Sequence, residues 1–263
     1  MPATAAASVV RPAARKVLIV ETIIVLGITL GRSAIYSILQ IIEKLTRPEP
    51  LGQQTTQMNP SYVPDRPWLD LAYQIAGFVL PLVPVVLCIY LMTHVHRPSA
   101  NPRRFVGFDF ARPWRDFVLG FAMAAAIGVP GLGFYLVARA IGINTNVAPA
   151  NITENWWTVP VYIGFAIMNG VLEEVIVVAY LFTRWSQAGL SMGKIIVISA
   201  IVRGAYHLYQ GFGGFIGNII MGLVFGWVYA RTKRVMPLVI AHTLIDIVAF
   251  VGYALLAGVV SWL

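Results

Sequence analysis

Seven long apolar runs separated by short polar segments dominate the chain, near residues 17–42, 70–93, 116–141, 158–183, 194–210, 212–230 and 235–262. A helix rising 1.5 Å per residue needs about 20 apolar residues to cross a hydrocarbon core of ~30 Å. Backbone polar groups in lipid must be satisfied within the segment itself, so such runs read as helices. The pattern predicts an all-α fold, a polytopic transmembrane helix bundle of seven or eight spans. The count depends on whether the stretch from 235 to Leu263 is one helix or breaks near Gly252. Residues 1–16, small, Ala-rich and basic, read as a flexible cytoplasmic arm, and 17–263 as a single membrane domain. The first run is too long for a signal-peptide core and lacks a small-residue cleavage site, so it reads as a retained helix near 17–42. Five prolines between 46 and 69 predict an irregular outer loop, and Pro81 and Pro84 predict a kink in the second span.

Composition agrees with this class. Hydrophobic residues make up 58% of the chain and charged ones 11%, with a mean hydropathy of +0.76. Soluble domains carry about 25% charged residues. The net charge of +8 could suggest a nucleic-acid partner, but the basic residues follow topology instead. Thirteen of nineteen fall in the N-terminal arm and alternate loops: Arg11, Arg15 and Lys16; Arg97, Arg103, Arg104, Arg112 and Arg115; Arg184 and Lys194; Arg231, Lys233 and Arg234. This positive-inside pattern places the N-terminus in the cytoplasm. The expected setting is an integral membrane protein of a bacterial cytoplasmic membrane. Its basic loops face anionic headgroups of the lipid bilayer, and no nucleic acid is expected. The oligomeric state is not readable. Cys88, alone in its type, excludes an intramolecular disulfide. His94 and His96 read as an interfacial face, segment 97–115 as a basic aromatic strip on the inner leaflet, and Asn151-Ile152-Thr153 as a weak glycosylation pattern.

The candidate chemistry lies inside the apolar runs, where ionisable groups are costly and point to function. Glu173 and Glu174 stand midway along the fourth run. Neighbours on a helix point about 100° apart, so one faces the reaction space and the other a flanking helix. Asn169 is four residues before Glu173, and Gly170 four before Glu174. Arg203 and His207 share a face of the fifth helix, and His242 and Asp246 a face of the last, each pair at i, i+4. Counting ~1.5 Å per residue, Glu173 lies ~16 Å from Arg184 and His242 ~12 Å from Arg234, so their depths agree. Glu21 reads as an acid snorkelling to the interface, and Arg32 as the structural partner of some buried carboxylate. Asn218, Gly222 and Gly226 form a small-residue stripe that predicts close helix packing.

The order of these elements resembles the CPBP intramembrane proteases, which include the CAAX prenyl endopeptidases and Abi-like bacteriocin-processing or immunity proteins. Glu173-Glu174 stands in one helix, His207 in the next, then Gly222-Leu223-Val224-Phe225-Gly226-Trp227-Val228-Tyr229, and last His242-x-x-x-Asp246. The likeness covers roughly residues 158–250, the expected catalytic-core region. Two positions depart from it. The family motif E-E-x-x-x-R meets Val178 where arginine is usual, and Arg203 stands where phenylalanine usually precedes the histidine. Arg203 is therefore the residue to supply the missing charge from the facing helix. The resemblance implies an intramembrane (metallo)endopeptidase acting on a peptide or protein substrate in the membrane, prenylated or otherwise membrane-associated. By similarity Glu173 is the general base on a water, with Glu174 supporting it or pairing Arg203. His207 orients the water or binds a metal, and His242 with Asp246 holds the oxyanion or completes a metal shell. Zinc held by His207, His242 and Glu173 is one implied option, and a glutamate mechanism with no cofactor is the other. Asn169 and Arg203 are supporting residues. A proton-coupled transporter is the alternative of another class, and a non-catalytic immunity or scaffold protein a third.

Overall fold

The computed structural model describes residues 12–95 and 101–256, so the expected arm at 1–11, His96 and Arg97, and the segment after 256 lie outside the described residues. Eleven helices carry the fold among them: α1 (Pro12–Gly27), α2 (Leu30–Leu45), α3 (Pro67–Val79), α4 (Val83–His94), α5 (Pro102–Phe105), α6 (Pro113–Ala140), α7 (Thr158–Glu173), α8 (Leu181–Gln187), α9 (Met192–His207), α10 (Phe212–Thr232) and α11 (Met236–Leu256). Apart from these and short turns there are two three-residue strands, β1 (Thr55–Gln57) and β2 (Asn146–Ala148), paired in parallel with Thr55 opposite Asn146. Five helices or continuous helix pairs are long and apolar enough to cross a membrane. The bent pair α1–α2 makes a sixth, against the seven or eight expected. The shortfall lies in α9, whose 16 residues rise only ~24 Å.

The first run differs from the straight helix expected over 17–42. It starts at Pro12 and breaks at Thr29, whose φ of −128° and ψ of −121° leave the helical region, and the two halves meet at 54°. Gly31 makes the corner possible, because a Cβ there would sit 2.7 Å from the Leu26 carbonyl oxygen. The second run bends where its prolines predict. A 3₁₀ turn, Leu80–Leu82, joins α3 to α4, as expected where proline removes a backbone donor.

Loops gather at two opposite ends. At one, β1 pairs with β2, Thr145 N–H donates to the Gln210 carbonyl (2.9 Å) and Lys44 Nζ reaches the Tyr209 carbonyl (2.7 Å). The loop 46–66 is thus more ordered than its prolines suggest. Asn151, the glycosylation candidate, donates from Nδ2 to the carbonyls of Met58 and Ala148, both at 2.7 Å. At the other end, Val235 N–H bonds the Val106 carbonyl (2.9 Å), and Arg234 pairs with Asp109 and Asp116. The strip 101–112 therefore docks on the α10–α11 turn, with only the four-residue α5 as helix. The Arg234 guanidinium beside Asp109 holds its carboxyl below the usual range. Exposed Trp156 and Trp114 mark the two ends, as interfacial aromatics do.

At the centre runs the composite helix Thr158–Gln187, whose residues Glu173 to Leu181 are all buried. Apolar side chains on α1, α2, α3 and α6 stay exposed on the outside, where lipid would cover them. The small-residue stripe packs as expected. A Cβ on Gly222 would meet Ala200 Cα at 2.9 Å, and one on Gly226 would meet Phe182 and Ile196 at 3.1 and 3.2 Å. This lets α10 lie closely along α9 and fixes the face that α9 turns to the centre. Arg184, expected at the membrane edge, is instead fully buried, and its Nε–H donates to Glu21 (2.8 Å). Tyr180 Oη–H also donates to Glu21 (2.7 Å), so this half-buried acid is an ion-pair partner and does not snorkel.

Candidate active site

The central helix does not remain α-helical through its glutamates. From Glu174 to Tyr180 it widens into a π-helical segment, closed by the Leu181 N–H bonding the Ile176 carbonyl five residues back. The run Val-Ile-Val-Val is β-branched and therefore stiff at χ1 against a tight α-turn. Such segments recur at functional sites because they re-aim side chains and free carbonyls. One freed carbonyl, Val177, accepts the hydroxyl of Ser199 on α9 (2.9 Å). The widening begins at the second glutamate.

Glu174 is fully buried and held on both oxygens. Arg203 Nη2 donates to Oε1 at 2.7 Å and Oε2 at 2.8 Å, and His242 Nδ1 lies 2.7 Å from Oε1. An ionised carboxylate can only accept, so the imidazole carries its proton on Nδ1. Arg203 Cζ also sits 5.5 Å from the centre of the Phe225 ring, a cation–π contact. Glu173 is held more lightly. Its Oε2 accepts from the Tyr206 hydroxyl (2.7 Å) and at longer range from Arg203 Nη1 (3.3 Å), with His242 Nδ1 at 4.0 Å. Among the described residues its Oε1 accepts no hydrogen bond, and Glu173 keeps 7% of its surface accessible where Glu174 keeps none.

The last helix reaches this cluster because Gly170 permits it. A Cβ at Gly170 would lie 2.5 Å from Thr243 Oγ1 and 2.9 Å from the Val239 carbonyl oxygen, so α7 and α11 touch backbone to backbone beside His242. His242 Nε2 then points towards Asp246 Oδ1 at 3.8 Å, and Asn169 Nδ2 donates to Asp246 Oδ2 at 2.8 Å. Asn169 and Gly170 thus both hold α11, one by its amide and one by its missing side chain. His207 sits at the rim. Its Nδ1 is 3.1 Å from the Arg203 carbonyl, and its ring lies 4.7 Å from that of Tyr206. Donation from Nδ1–H to that carbonyl leaves the Nε2 lone pair available.

The structure therefore brings together Glu173, Glu174, Arg203, His242, Asp246 and Asn169, with His207 adjoining through Arg203 and Tyr206. Three of these place their donor atoms within 4.8 Å of one another, namely Glu173, Glu174 and His242. That set differs from the expected His207, His242 and Glu173. Tyr206 was not singled out by sequence, although it lies three residues after Arg203 and so on the same helix face. Arg32 is not the structural partner of a buried carboxylate. It is exposed, with Cζ 5.5 Å from the Tyr36 ring centre. His94, expected at an interfacial face, is exposed and stacked on Tyr90. Carboxylate and imidazole donors are of the kind zinc takes. Both oxygens of Glu174 are, however, already committed to a guanidinium, and a dication bound there would face that positive charge at close range. The donor set does not fit a metal as it stands.

A cavity of about 700 Å³ opens between α2, the proline break of α3–α4, and α9, and Tyr206 lines it. The residue that bonds Glu173 thus also faces a space of ligand size.

Residues 155–248 match the sequence model of the family described as Type II CAAX prenyl endopeptidase Rce1-like. That match supports the CAAX-type protease resemblance. Every residue of the cluster lies inside the matched segment. No curated protein and no solved structure was found to match the chain.

Proposed function

We propose, on the premise that residues 155–248 form a CAAX-protease-type segment, that this chain is an intramembrane endopeptidase that hydrolyses a peptide bond with a glutamate-activated water. The observation that carries the reading is the unequal holding of the two glutamates. Glu174 is bound on both oxygens by Arg203 and His242, while Glu173 Oε1, beside the cavity-lining Tyr206, accepts no hydrogen bond among the described residues.

The chemistry follows from those positions. Water bound at Glu173 Oε1 loses its proton to the carboxylate as its oxygen attacks the scissile carbonyl carbon, and the carbonyl π electrons move onto oxygen. The oxyanion needs a donor, and the Tyr206 hydroxyl, released from Glu173 Oε2 as that carboxylate takes the water's proton, supplies it. Collapse of the tetrahedral species breaks the C–N bond, and Glu173 returns its proton to the leaving amine. Glu174 and Arg203 act as positioning residues. Their ion pair fixes His242 through Nδ1, while Asn169 fixes Asp246 at the other side of the ring. Because Arg203 already occupies Glu174, no step in this reading runs through a metal. His207, with Nε2 available at the rim, orients the water or the substrate.

The test uses purified protein in detergent or nanodiscs and a farnesylated peptide ending in a CAAX sequence. Wild type releases the C-terminal tripeptide, identified by mass, and Glu173→Gln does not. Solute flux into liposomes without peptide cleavage would contradict the reading and favour transport.

A further inference from the structure

Arg32 lies outside the matched segment and plays no part in the mechanism above, yet it stands where an arginine is costly. It is the third residue of α2, just beyond the break at Thr29, and 12 residues before Lys44, hence ~18 Å from that end of the helix. Arginine at this depth is expected to be paired, to snorkel, or to line a polar cavity. Among the described residues Arg32 has no carboxylate partner, and its contact is the Tyr36 ring. It does line the cavity of about 700 Å³, with Ser33 and Gln40 on its own helix and Tyr206 and Tyr209 opposite. The cavity thus has a cationic wall on α2, and on α9 it has Tyr206, whose hydroxyl donates to Glu173.

We infer that Arg32 is an anion subsite of this cavity, and that it takes the free C-terminal carboxylate of the peptide whose scissile bond is presented to Glu173. The inference rests on the protease reading. Three features support it. An exposed guanidinium with no carboxylate partner among the described residues can bind a carboxylate through two parallel N–H donors. The cavity volume falls within the roughly 300–1,000 Å³ of ligand sites and leaves room for a short peptide end. A lipid phosphate sits at the membrane interface, whereas Arg32 lies ~18 Å of helix from the end marked by Lys44.

The experiment compares two farnesylated peptides identical except that one ends in a free acid and the other in a carboxamide. Cleavage is followed with wild type, and binding with Glu173→Gln, so that recognition is read even where no bond is cut. The expected result is a preference for the acid of about tenfold or more, in line with a charge-assisted contact. The preference should collapse towards unity in Arg32→Gln and survive in part in Arg32→Lys. Equal binding of acid and amide by the Arg32-intact protein, or an acid preference that persists in Arg32→Gln, would overturn the assignment. So would an Arg32 effect seen only in nanodiscs of anionic lipid, which would mark a headgroup site. Arg32-dependent binding of the acid with no cleavage by wild type would uphold the subsite and overturn the protease reading instead.

Discussion

At the scale of single residues, Arg203 is the group on which the site depends. It is buried between two carboxylates, and removing one partner of a buried ion pair typically costs about 3–5 kcal/mol. Arg203→Met should lower the thermal midpoint in detergent sharply, and Glu174→Gln on top of it should recover part of the loss. An additive double variant would show that the two do not act as a pair. The resemblance suggests a stricter check. The related motif has arginine where this chain has Val178 and phenylalanine where it has Arg203. Arg203→Phe alone should therefore abolish activity, and Val178→Arg with Arg203→Phe should restore a measurable part. The pairing of Arg203 with the glutamates was legible because an arginine inside an apolar helix is costly without a carboxylate, and Val178 left the charge of the related motif to be supplied from the facing helix. The burial of Arg184 with Glu21 was not, because each lies near the end of its run, where snorkelling and pairing leave the same trace in sequence. Nor was the exposure of Arg32, which depends on a break that a hydrophobic run conceals.

At the scale of elements, the close approach of α7 and α11 at Gly170 sets the position of His242. Gly170→Val should clash with Thr243 and the Val239 carbonyl, cost about 1–3 kcal/mol as overpacking does, and reduce activity more than stability. Unchanged cleavage would mean that α11 need not sit at that distance. The docking of residues 101–112 on the α10–α11 turn makes a pH prediction. Asp109 is held below its ordinary range by Arg234, so its contribution to stability is full above the unfolded value. It is lost as pH falls through the lowered folded value. Thermal midpoints against pH should show an acid-side decline that Arg234→Gln flattens. Helix existence was readable because hydrophobic runs of this length have few alternatives in lipid. The π-helical segment was not, since stiff β-branched residues at Val175 to Val178 are equally at home in an ordinary buried helix. Strands β1 and β2 escaped because three-residue pairing leaves no periodic pattern.

At the scale of the molecule, the loops sort to two ends in the alternation that the basic residues imply. In a Cys88→Ala background, Asp65→Cys and Glu154→Cys should label from one side of the membrane and Arg112→Cys from the other. Labelling of all three from one side would contradict the topology. The site lies between those ends, wholly within the segment matched to the CAAX-type family. Its central claim is that Glu173, and not its better-held neighbour, carries the water. The most direct test is the single-turnover rate of peptide-bond cleavage by wild type, Glu173→Gln and Glu174→Gln at equal folded concentration. A positioned general base contributes roughly 10²–10⁴-fold, so Glu173→Gln should lose at least that much with peptide binding intact. Glu174→Gln should keep measurable activity, and wild-type rates from Glu173→Gln would contradict the account.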